Sequence, residues 1–358
     1  MGRLRRLEDG PVKLSLVVVC HHSSAVLPGC VASFRREAAA AGLDAEVVLV
    51  EQSEDEAEAA AVAGGDHDRL LVRPNRGYAA GLNAGMEAVV GEVLLLANPD
   101  IRFLDGSVGP LVAATGGAEV AGPQLLWDEA GEVLLPIPDD PAPAAELART
   151  ARRRWTSRRD LGRLLDASWR LWTASEPCPV PSLRGPLLAL RADAAARLGP
   201  LDEGYFLFYE ETDWLWRARR RGARLVVAPR SRVVHRWGHA TRRRADLAEV
   251  EGRSRERFFE RNYPRWARAL LRRLAPAADA SEPGVAVVEG PEAAAAPGAD
   301  VWLLSIVSSM EPAVGCLGGS SLPGAALELA GRGRWYAVAA AGGPGRWRRL
   351  GSWTWEKA

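Results

Sequence analysis

The sequence has few cysteines and no long apolar run. Its four cysteines are scattered through 358 residues without a Cys-x-x-Cys pair, which predicts reduced core residues rather than a disulfide framework. No stretch approaches the roughly 18 apolar residues of a transmembrane helix. The apolar patch after Lys13 is only about six residues long, too short for the core of a signal peptide. We therefore expect a cytoplasmic protein. The cysteines are Cys20, Cys30, Cys178 and Cys316.

Charge of neither sign dominates the chain. The formal net charge is +1, which gives no overall reason to expect a nucleic-acid partner. The positive charge is uneven, since residues 149–163 contain seven arginines. Such a stretch suits a phosphate group or a lipid headgroup, so peripheral contact with the inner face of a membrane stays open. A solvated helix face is the simpler interpretation.

Short apolar runs alternate with helical patterns in the first hundred residues. The runs are "LSLVVV" (14–19), "AEVVLV" (45–50), "RLLV" (69–72) and "EVLLLA" (92–97). This alternation predicts an α/β fold with a sheet built from βαβ units. Ligands of such sheets bind beyond the carboxyl ends of the strands. Residues 20–23, 51–53 and 98–100 are therefore expected along one edge.

The pattern changes twice further along the chain. A Pro-rich and Arg/Trp-rich stretch interrupts it, and Pro/Gly/Ala-rich linkers precede a Trp-rich region of short apolar runs. We expect a first domain over 1–275 with a helical insertion at about 140–176, a linker at 276–283, and a small β-sandwich-like domain over 284–358. The tryptophans of that domain form its core, dock it on the first domain, or offer an aromatic face that can stack on a sugar ring.

The fourth strand runs directly into Asn98, Pro99 and Asp100. A single Asp after a strand is commonly a turn or helix cap. Here glycines at 77, 81 and 85 recur at helical spacing just before the strand. They indicate either a small-residue face that packs on the sheet or close approach of a ligand to the backbone.

Two further clusters contain groups that can act in catalysis or metal binding. Glu210, Glu211 and Asp213 crowd four positions after an aromatic run. They favour a helix N-terminus, where the helix dipole stabilises acids, or a general base at the edge of a site. His235 ends a short strand and His239 follows four residues later. Imidazole with carboxylate is a common ligand set for a divalent ion, although a histidine at a strand end is more often structural.

The order of these motifs resembles family 2 glycosyltransferases of the rhamnosyltransferase-like group, from about residue 14 to about residue 270. "NRGYAAGLNAGM" followed by "LLLANPD" is the most diagnostic pair. Further similarity lies in "VVVCHHSSAVLPGCVASF", "VVLVEQSED", "GPLLALRADAAARLGPLDEGYFLFYEETDWLWRARRRG" and "VVHRWGHAT". The resemblance implies the GT-A fold, a mixed Rossmann-like α/β sheet that binds nucleotide sugars.

The sequence departs from the family pattern at four places. His21-His22 stands where Tyr-Asn is usual, and Glu51-Gln52 stands where Asp-Asn is usual. Glu210-Glu211-Thr212-Asp213 replaces Glu-Asp-x-Asp, and Asn98-Pro99-Asp100 is a variant of the Asp-x-Asp ion motif. These changes bear on the nucleotide and sugar preference more than on the class of reaction.

The resemblance implies an inverting, metal-dependent transfer of a sugar from a dTDP-, UDP- or GDP-sugar to a glycan or lipid-linked glycan in cell-surface polysaccharide synthesis. Mg²⁺ or Mn²⁺ is the expected cofactor, with Asp100 and His235 as its ligands. Glu211 is the expected base and Asp213 the alternative. The residues expected to bind the donor are His21, Ser23, Glu51, Asn75, Gly77, Gly81, Asn83 and Asn98.

Two other functions stay open. A nucleotidyltransferase shares the sheet architecture, but its first loop is Gly-rich and basic, unlike "CHHSSAVLPG". A scaffold that binds nucleotide sugars or glycans without turnover is the other alternative, which the altered acidic motif and the Trp-rich region motivate.

Overall fold

The structure is a computed structural model that describes residues 13–136, 138–154, 158–235, 246–274, 286–306, 313–329 and 333–357. His239 and the predicted linker lie outside the described residues. The strands are β1 (Lys13–Cys20), β2 (Asp44–Glu51), β3 (Arg69–Val72), β4 (Val93–Ala97), β5 (Ile101–Phe103), β6 (Val120–Leu126), β7 (Cys178–Pro179), β8 (Leu187–Arg191), β9 (Leu225–His235), β10 (Ala286–Val287), β11 (Val301–Ser305), β12 (Val314–Leu317), β13 (Gly333–Ala341) and β14 (Arg348–Lys357).

The helices alternate with the strands over the first half of the chain. They are α1 (Leu27–Ala40), α2 (Glu56–Ala63), α3 (Tyr78–Ala88), α4 (Val108–Ala114), α5 (Pro143–Arg154), α6 (Arg158–Trp172), α7 (Ala192–Leu198), α8 (Glu210–Arg220), α9 (Asp246–Asn262), α10 (Arg265–Leu274) and α11 (Gly324–Leu329). Among the described residues, no helix is long and apolar enough to cross a membrane.

The contacts within the chain define two compact units. The first contains Met1–Gln124 and Ser175–Asn262, and the second contains Leu125–Ala174 and Tyr263–Ala358. The sequence assigned the Arg-rich stretch to the first domain, whereas its contacts group it with the C-terminal residues. The reason lies in long-range packing, since α5 packs against α10 and Asp166 in α6 accepts hydrogen bonds from the Gly345 N–H and from Trp347 Nε1.

The first unit is built on a mixed sheet, as the α/β prediction requires. In the described residues nine strands form this sheet, in the order β3-β2-β1-β4-β8-β6-β9-β5, with β7 paired to β9. The strands β1, β2, β3 and β4 run parallel, and β8 joins β4 in the antiparallel direction. The centre of β1 is almost fully buried on both faces, which explains its unbroken apolar sequence.

Helix α3 packs closely on β1 through its glycines. A Cβ at position 81 would lie 2.6 Å from Gln52 Oε1 and 2.7 Å from Val19 Cγ1, and a Cβ at position 85 would overlap Val17 Cγ1. The helix can approach the sheet this closely only because these side chains are absent. Of the two interpretations of the Gly81 and Gly85 spacing, the structure supports packing on the sheet.

The second unit contains a sheet of its own. In the described residues this is a single five-stranded sheet in the order β10-β14-β13-β11-β12, so the β-rich character of the C-terminal region is confirmed. The described strands do not form the two layers of a sandwich. Pairing is antiparallel except between β10 and β14.

The tryptophans of this sheet are mainly core residues. Trp302, Trp335 and Trp355 are buried, and the ring of Trp353 lies 5.3 Å from that of Trp302. A ring that is buried in the fold has no free face for a sugar. The structure therefore supports the core interpretation of these residues.

The packing of α3 generates a stability prediction. Gly85→Ala should lower the free energy of unfolding by about 1–3 kcal/mol, because the added methyl group must displace Val17 or the helix. Gly252→Ala in α9 is the matched control, since no atom lies within 4 Å of its Cβ position. The control should gain about 0.5–1 kcal/mol from helix propensity. Urea denaturation checks both values, and equal stability of the two variants would contradict the packing argument.

Candidate active site

Glu51, at the end of β2, is a buried carboxylate with one unused oxygen. Its residue is 1% exposed, and its Oε1 accepts a 2.5 Å hydrogen bond from the Ser53 N–H. Its Oε2 is buried without a hydrogen-bond partner. Removing a carboxylate oxygen from water without replacing its hydrogen bonds is costly. The arrangement leaves an acceptor ready for an N–H or O–H donor.

The loop after β1 lies beside Glu51 because Cys20 pairs with Glu51 in the parallel register. His22 adopts a positive φ of 48°, and its N–H donates to Ser53 Oγ at 2.8 Å. His21 is exposed, with Nδ1 3.3 Å from the Gln52 carbonyl oxygen. The buried Ser23 accepts hydrogen bonds from the first turn of α1 through its carbonyl oxygen. The predicted donor-binding residues His21, Ser23 and Glu51 therefore lie at one edge.

The segment before α3 turns sharply at Gly77. Asn75 Oδ1 accepts the Gly77 N–H at 3.2 Å, and Gly77 has a φ of +98°. A Cβ there would lie 2.5 Å from the Phe206 carbonyl oxygen, which accepts the Tyr78 N–H at 2.9 Å. The turn therefore needs glycine, and it joins the motif at 75–86 to the aromatic run at 204–209.

Asn83 has a different environment from the other predicted donor-binding residues. Its Oδ1 accepts the Leu201 N–H at 2.9 Å, and its Nδ2 donates to the Leu201 carbonyl at 3.0 Å and to Glu203 at 3.2 Å. Gly81 faces Val19 and Gln52. The side chain of Asn83 is thus used within the fold, and Gly81 allows α3 to approach β1.

Asp100 and His235 are brought together by the pairing of β5 with β9, in which Ile101 is opposite His235. Asp100 Oδ1 lies 3.6 Å from His235 Nε2, too far for a direct hydrogen bond. That oxygen is buried without a hydrogen-bond partner. Burial lowers the pKa of His235, although Asp100 opposes the shift. The neutral imidazole that results is the form that binds metals.

Asp100 and His235 suit a divalent ion that takes its remaining ligands from a bound molecule and water. In the described part of the chain, no group of three or more His, Cys, Asp or Glu side chains could hold a metal alone. Mg²⁺ and similar ions commonly bind through one or two carboxylates and take their remaining ligands from phosphates and water. The unpaired Asp100 oxygen and the nearby neutral imidazole match that pattern.

Asn98 is held in place rather than free. Its N–H donates to the Pro186 carbonyl at 2.9 Å, and its Oδ1 accepts the Tyr78 hydroxyl at 2.7 Å. The pKa of Tyr78 is raised well above 10 by burial and then by Glu210, Glu211 and Asp100. Tyr78 therefore stays a neutral donor close to the acids of two separate motifs. Sequence analysis did not single it out, and the only signal was its position at the start of α3, after Gly77.

Glu210 is a buried carboxyl at the start of α8. The turn before it places both Phe208 and Tyr209 at positive φ, 67° and 66°, a costly conformation for aromatic residues. Glu210 Oε2 is buried without a hydrogen-bond partner. Burial, followed by the charge of Glu211, raises the pKa of Glu210 well above its ordinary value. We expect Glu210 to hold a proton over a wide pH range.

Glu211 faces the segment that precedes β8. A Cβ at position 185 would lie 3.0 Å from Glu211 Cγ. Burial raises the pKa of Glu211, while hydrogen bonds from backbone N–H groups and the charge of Arg184 lower it. The same arginine also acts on His235. Arg184 thus lies within electrostatic range of the base candidate and of the metal-ligand candidate, a role that no sequence motif indicated.

Asp213 is 1% exposed and fully engaged within the fold. Its Oδ2 accepts Arg217 Nε at 2.7 Å, and its Oδ1 accepts Asn262 Nδ2 at 2.9 Å and the Tyr205 hydroxyl at 3.3 Å. These partners hold both carboxylate oxygens of Asp213 within the fold. Among the described residues, Asp213 forms an ion pair with Arg217, whereas Arg184 acts on Glu211 through its charge.

The raised pKa of Glu210 generates a pH prediction. A carboxyl whose pKa rises on folding stabilises the protein below its unfolded pKa, and this contribution is lost as the pH rises through the folded pKa. Glu210→Gln removes the ionisation, so its melting temperature relative to the wild type should be higher at pH 8 than at pH 5. Glu56→Gln, in the exposed first turn of α2, is the control and should show no such trend. A Glu210→Gln effect that does not depend on pH contradicts this account.

Comparison with known proteins agrees with the geometry. Residues 15–157 match the family model "Glycosyl transferase family 2". Two curated relatives, both called N-acetylglucosaminyl-diphospho-decaprenol L-rhamnosyltransferase and both from Mycobacterium tuberculosis strains, are 29% identical over 198 residues, which is 52% of this chain. The matched region covers only 61% of those relatives.

Solved structures show more distant similarity. A mannosyltransferase from Pyrobaculum calidifontis, in complex with GDP-Man and Mn²⁺, has 14% identity and a TM-score of 0.43, covering 77% of this chain and 78% of its own. Mannosyl-3-phosphoglycerate synthase from Rubrobacter xylanophilus has 13% identity and a TM-score of 0.45, covering 76% and 78%. At this level of similarity, neither structure bears on the donor or the metal of this chain. The family match over residues 15–157 and the two curated relatives support the resemblance of this chain to family 2 glycosyltransferases of the rhamnosyltransferase-like group.

Proposed function

We propose that this protein transfers a sugar from a nucleoside-diphosphate sugar to a hydroxyl group of an acceptor, with inversion at the anomeric carbon. One observation carries the proposal: the Asp100–His235 pair and the Glu211 carboxylate converge on the segment 184–186. Arg184 acts electrostatically on both His235 and Glu211, and Pro186 accepts the N–H of Asn98 in the Asp100 motif. These observations support a common site for the proposed metal ligands, which would bind the leaving phosphates through the ion, and for the proposed base.

The nucleoside would bind at the neighbouring strand ends. Glu51 Oε2 is the unpartnered acceptor there, and it suits an imide or amide N–H of a base or a ribose hydroxyl. His21, Ser23 and Asn75 would complete the walls of this pocket. The backbone at Gly77 approaches Phe206 closely, which fixes the edge of the pocket without a side chain. dTDP-, UDP- and GDP-sugars all fit this description.

Mg²⁺ or Mn²⁺ would be held by Asp100 and His235. When bound, such an ion neutralises the negative charge that develops on the departing diphosphate. Asn98 would act indirectly, since Tyr78 and Pro186 already hold it. Its role is then to fix the direction in which Asp100 leaves β4.

Glu211 would accept the proton of the acceptor hydroxyl. As that proton moves to the carboxylate, the acceptor oxygen forms a bond to the anomeric carbon, and the bond from that carbon to the phosphate oxygen breaks. Attack opposite the leaving group inverts the configuration. The raised pKa of Glu211 makes it a stronger base than an exposed carboxylate. The paired Asp213 would instead anchor α8.

The acceptor is proposed from the curated relatives, whose printed name is that of an L-rhamnosyltransferase acting on N-acetylglucosaminyl-diphospho-decaprenol. A lipid-linked glycan is therefore the proposed acceptor class, and synthesis of a cell-surface polysaccharide or glycoconjugate the proposed role. The non-catalytic scaffold is the competing hypothesis, and donor turnover decides between them.

The base assignment predicts a selective loss of turnover. Glu211→Gln keeps the shape of the side chain but cannot take up the proton, so kcat should fall at least about 100-fold while calorimetric affinity for the nucleoside diphosphate stays within about twofold. Glu87→Gln, on the exposed side of α3, is the control and should leave kcat unchanged. Full turnover by Glu211→Gln would refute the assignment.

The metal assignment predicts a loss of metal-dependent affinity. UDP, dTDP and GDP should each be titrated by calorimetry with Mn²⁺ and with EDTA, and at least one should bind more tightly with the metal. Asp100→Ala should remove most of that gain, about tenfold or more, and leave the binding in EDTA unchanged. Asp105→Ala is the control, because that carboxylate is 98% exposed. Equal affinities of the Asp100 variant and the wild type in Mn²⁺ would rule the ligand role out.

A further inference from the structure

Helix α10, in the second unit, presents a basic and partly apolar surface to solvent. It packs against α5, and its buried residues are Ala267 and Leu271. Just before it, the Tyr263 hydroxyl donates to the Pro141 carbonyl at 2.7 Å. The helix is thus anchored along one side by described residues of its own unit.

Two large apolar side chains of α10 are exposed to solvent. Trp266 is 64% exposed and Leu270 is 40% exposed. They are four residues apart and so lie on the same side of the helix, about one turn from each other. An exposed tryptophan beside an exposed leucine is costly in water, which suggests that a partner covers this surface in the working protein.

The charged residues of α10 itself all have one sign. The helix has ten residues, four of them arginine and none acidic. Arg265, Arg272 and Arg273 are exposed, and Arg273, three residues after Leu270, falls at the edge of the apolar surface. Arginine with tryptophan at the border of an apolar stripe is typical of helices that lie in the interface of an anionic bilayer.

We propose that α10 docks this protein on an anionic lipid bilayer, with Trp266 and Leu270 inserted among the lipids and the arginines on the headgroups. The inference deepens the proposed function, on which it rests for its biological purpose, because a lipid-linked acceptor is confined to a membrane. Docking itself requires neither donor nor turnover. A protein partner or a second copy of this chain would have to place acidic groups around the same apolar pair.

The test is co-sedimentation of the full chain with vesicles, with neither donor nor acceptor present. Vesicles of phosphatidylcholine mixed with the anionic lipid phosphatidylglycerol are compared with vesicles of phosphatidylcholine alone. The wild type should bind the anionic vesicles at least about tenfold more strongly, and salt should weaken this binding.

Two variants separate the apolar and the charged parts. Trp266→Ala with Leu270→Ser, and separately Arg265→Gln with Arg273→Gln, should each weaken binding to the anionic vesicles about tenfold. Val90→Ser controls for the loss of an exposed apolar side chain, since Val90 is 51% exposed. Arg220→Gln with Arg230→Gln controls for the loss of two exposed positive charges. Both controls should bind as the wild type does, and circular dichroism should show all variants folded.

The outcomes that overturn the proposal are distinct. They are absence of binding by the wild type, equal binding to neutral vesicles, and α10 variants that bind like their controls. Self-association that only the Trp266/Leu270 variant abolishes, without vesicle binding, would assign the surface to a second copy. Transfer to a short-chain, water-soluble acceptor should be unchanged in every α10 variant, so failure of docking is distinguishable from failure of the proposed activity.

Discussion

The parallel pairing of β1 with β2 on one side and β4 on the other is the constraint on which the candidate site depends. It sets Cys20 opposite Glu51 and Val18 opposite Ala97, so three strands end together at one edge. Because side chains alternate along a strand, a slip of one residue would turn Glu51 to the other face of the sheet. The fully buried apolar residues of β1 fix this register, since a slip would misplace all of them.

The candidate catalytic and metal-binding residues depend on strands that pair in the antiparallel direction with the parallel strands or their continuation. β8 pairs with β4, which brings Pro186 to Asn98, and β9 pairs with β5, which brings His235 to Asp100. These pairs join residues that are far apart in the sequence. The proposed nucleotide site therefore rests on local βαβ units, whereas the proposed catalytic residues also require the pairing of β8 and β9.

This difference explains how much of the fold and of the site could be predicted from the sequence. The parallel strands and the shared edge of residues 20–23, 51–53 and 98–100 follow from local patterns, because strand periodicity and βαβ order are local. The hydrogen bonds between the Asn83 side chain and the backbone of Leu201, 118 residues away, follow from no local pattern. The same holds for Tyr78 and Arg184, and for the grouping of the Arg-rich stretch with the C-terminal sheet. Each of these depends on which distant surfaces pack together.

The acidic motif shows how one short stretch places three carboxylates in three different environments. Glu210 and Asp213 are three residues apart, so they share the buried side of α8, where one is isolated and the other is paired with Arg217. Burial raises the pKa of Glu210, while Arg217 and Asn262 satisfy the oxygens of Asp213, so the two side chains can be buried together.

Glu211 lies on a different side of α8 from Glu210 and Asp213, and its side chain faces Gly185. The related enzymes usually have Asp at position 211, and Glu extends the carboxylate by about one C–C bond, a distance that matters for proton transfer. Gly185 accommodates the longer side chain, because any Cβ at that position would lie within 3.0–3.2 Å of its Cγ, Cδ and Oε1 atoms. The longer side chain of Glu211 therefore depends sterically on glycine at position 185.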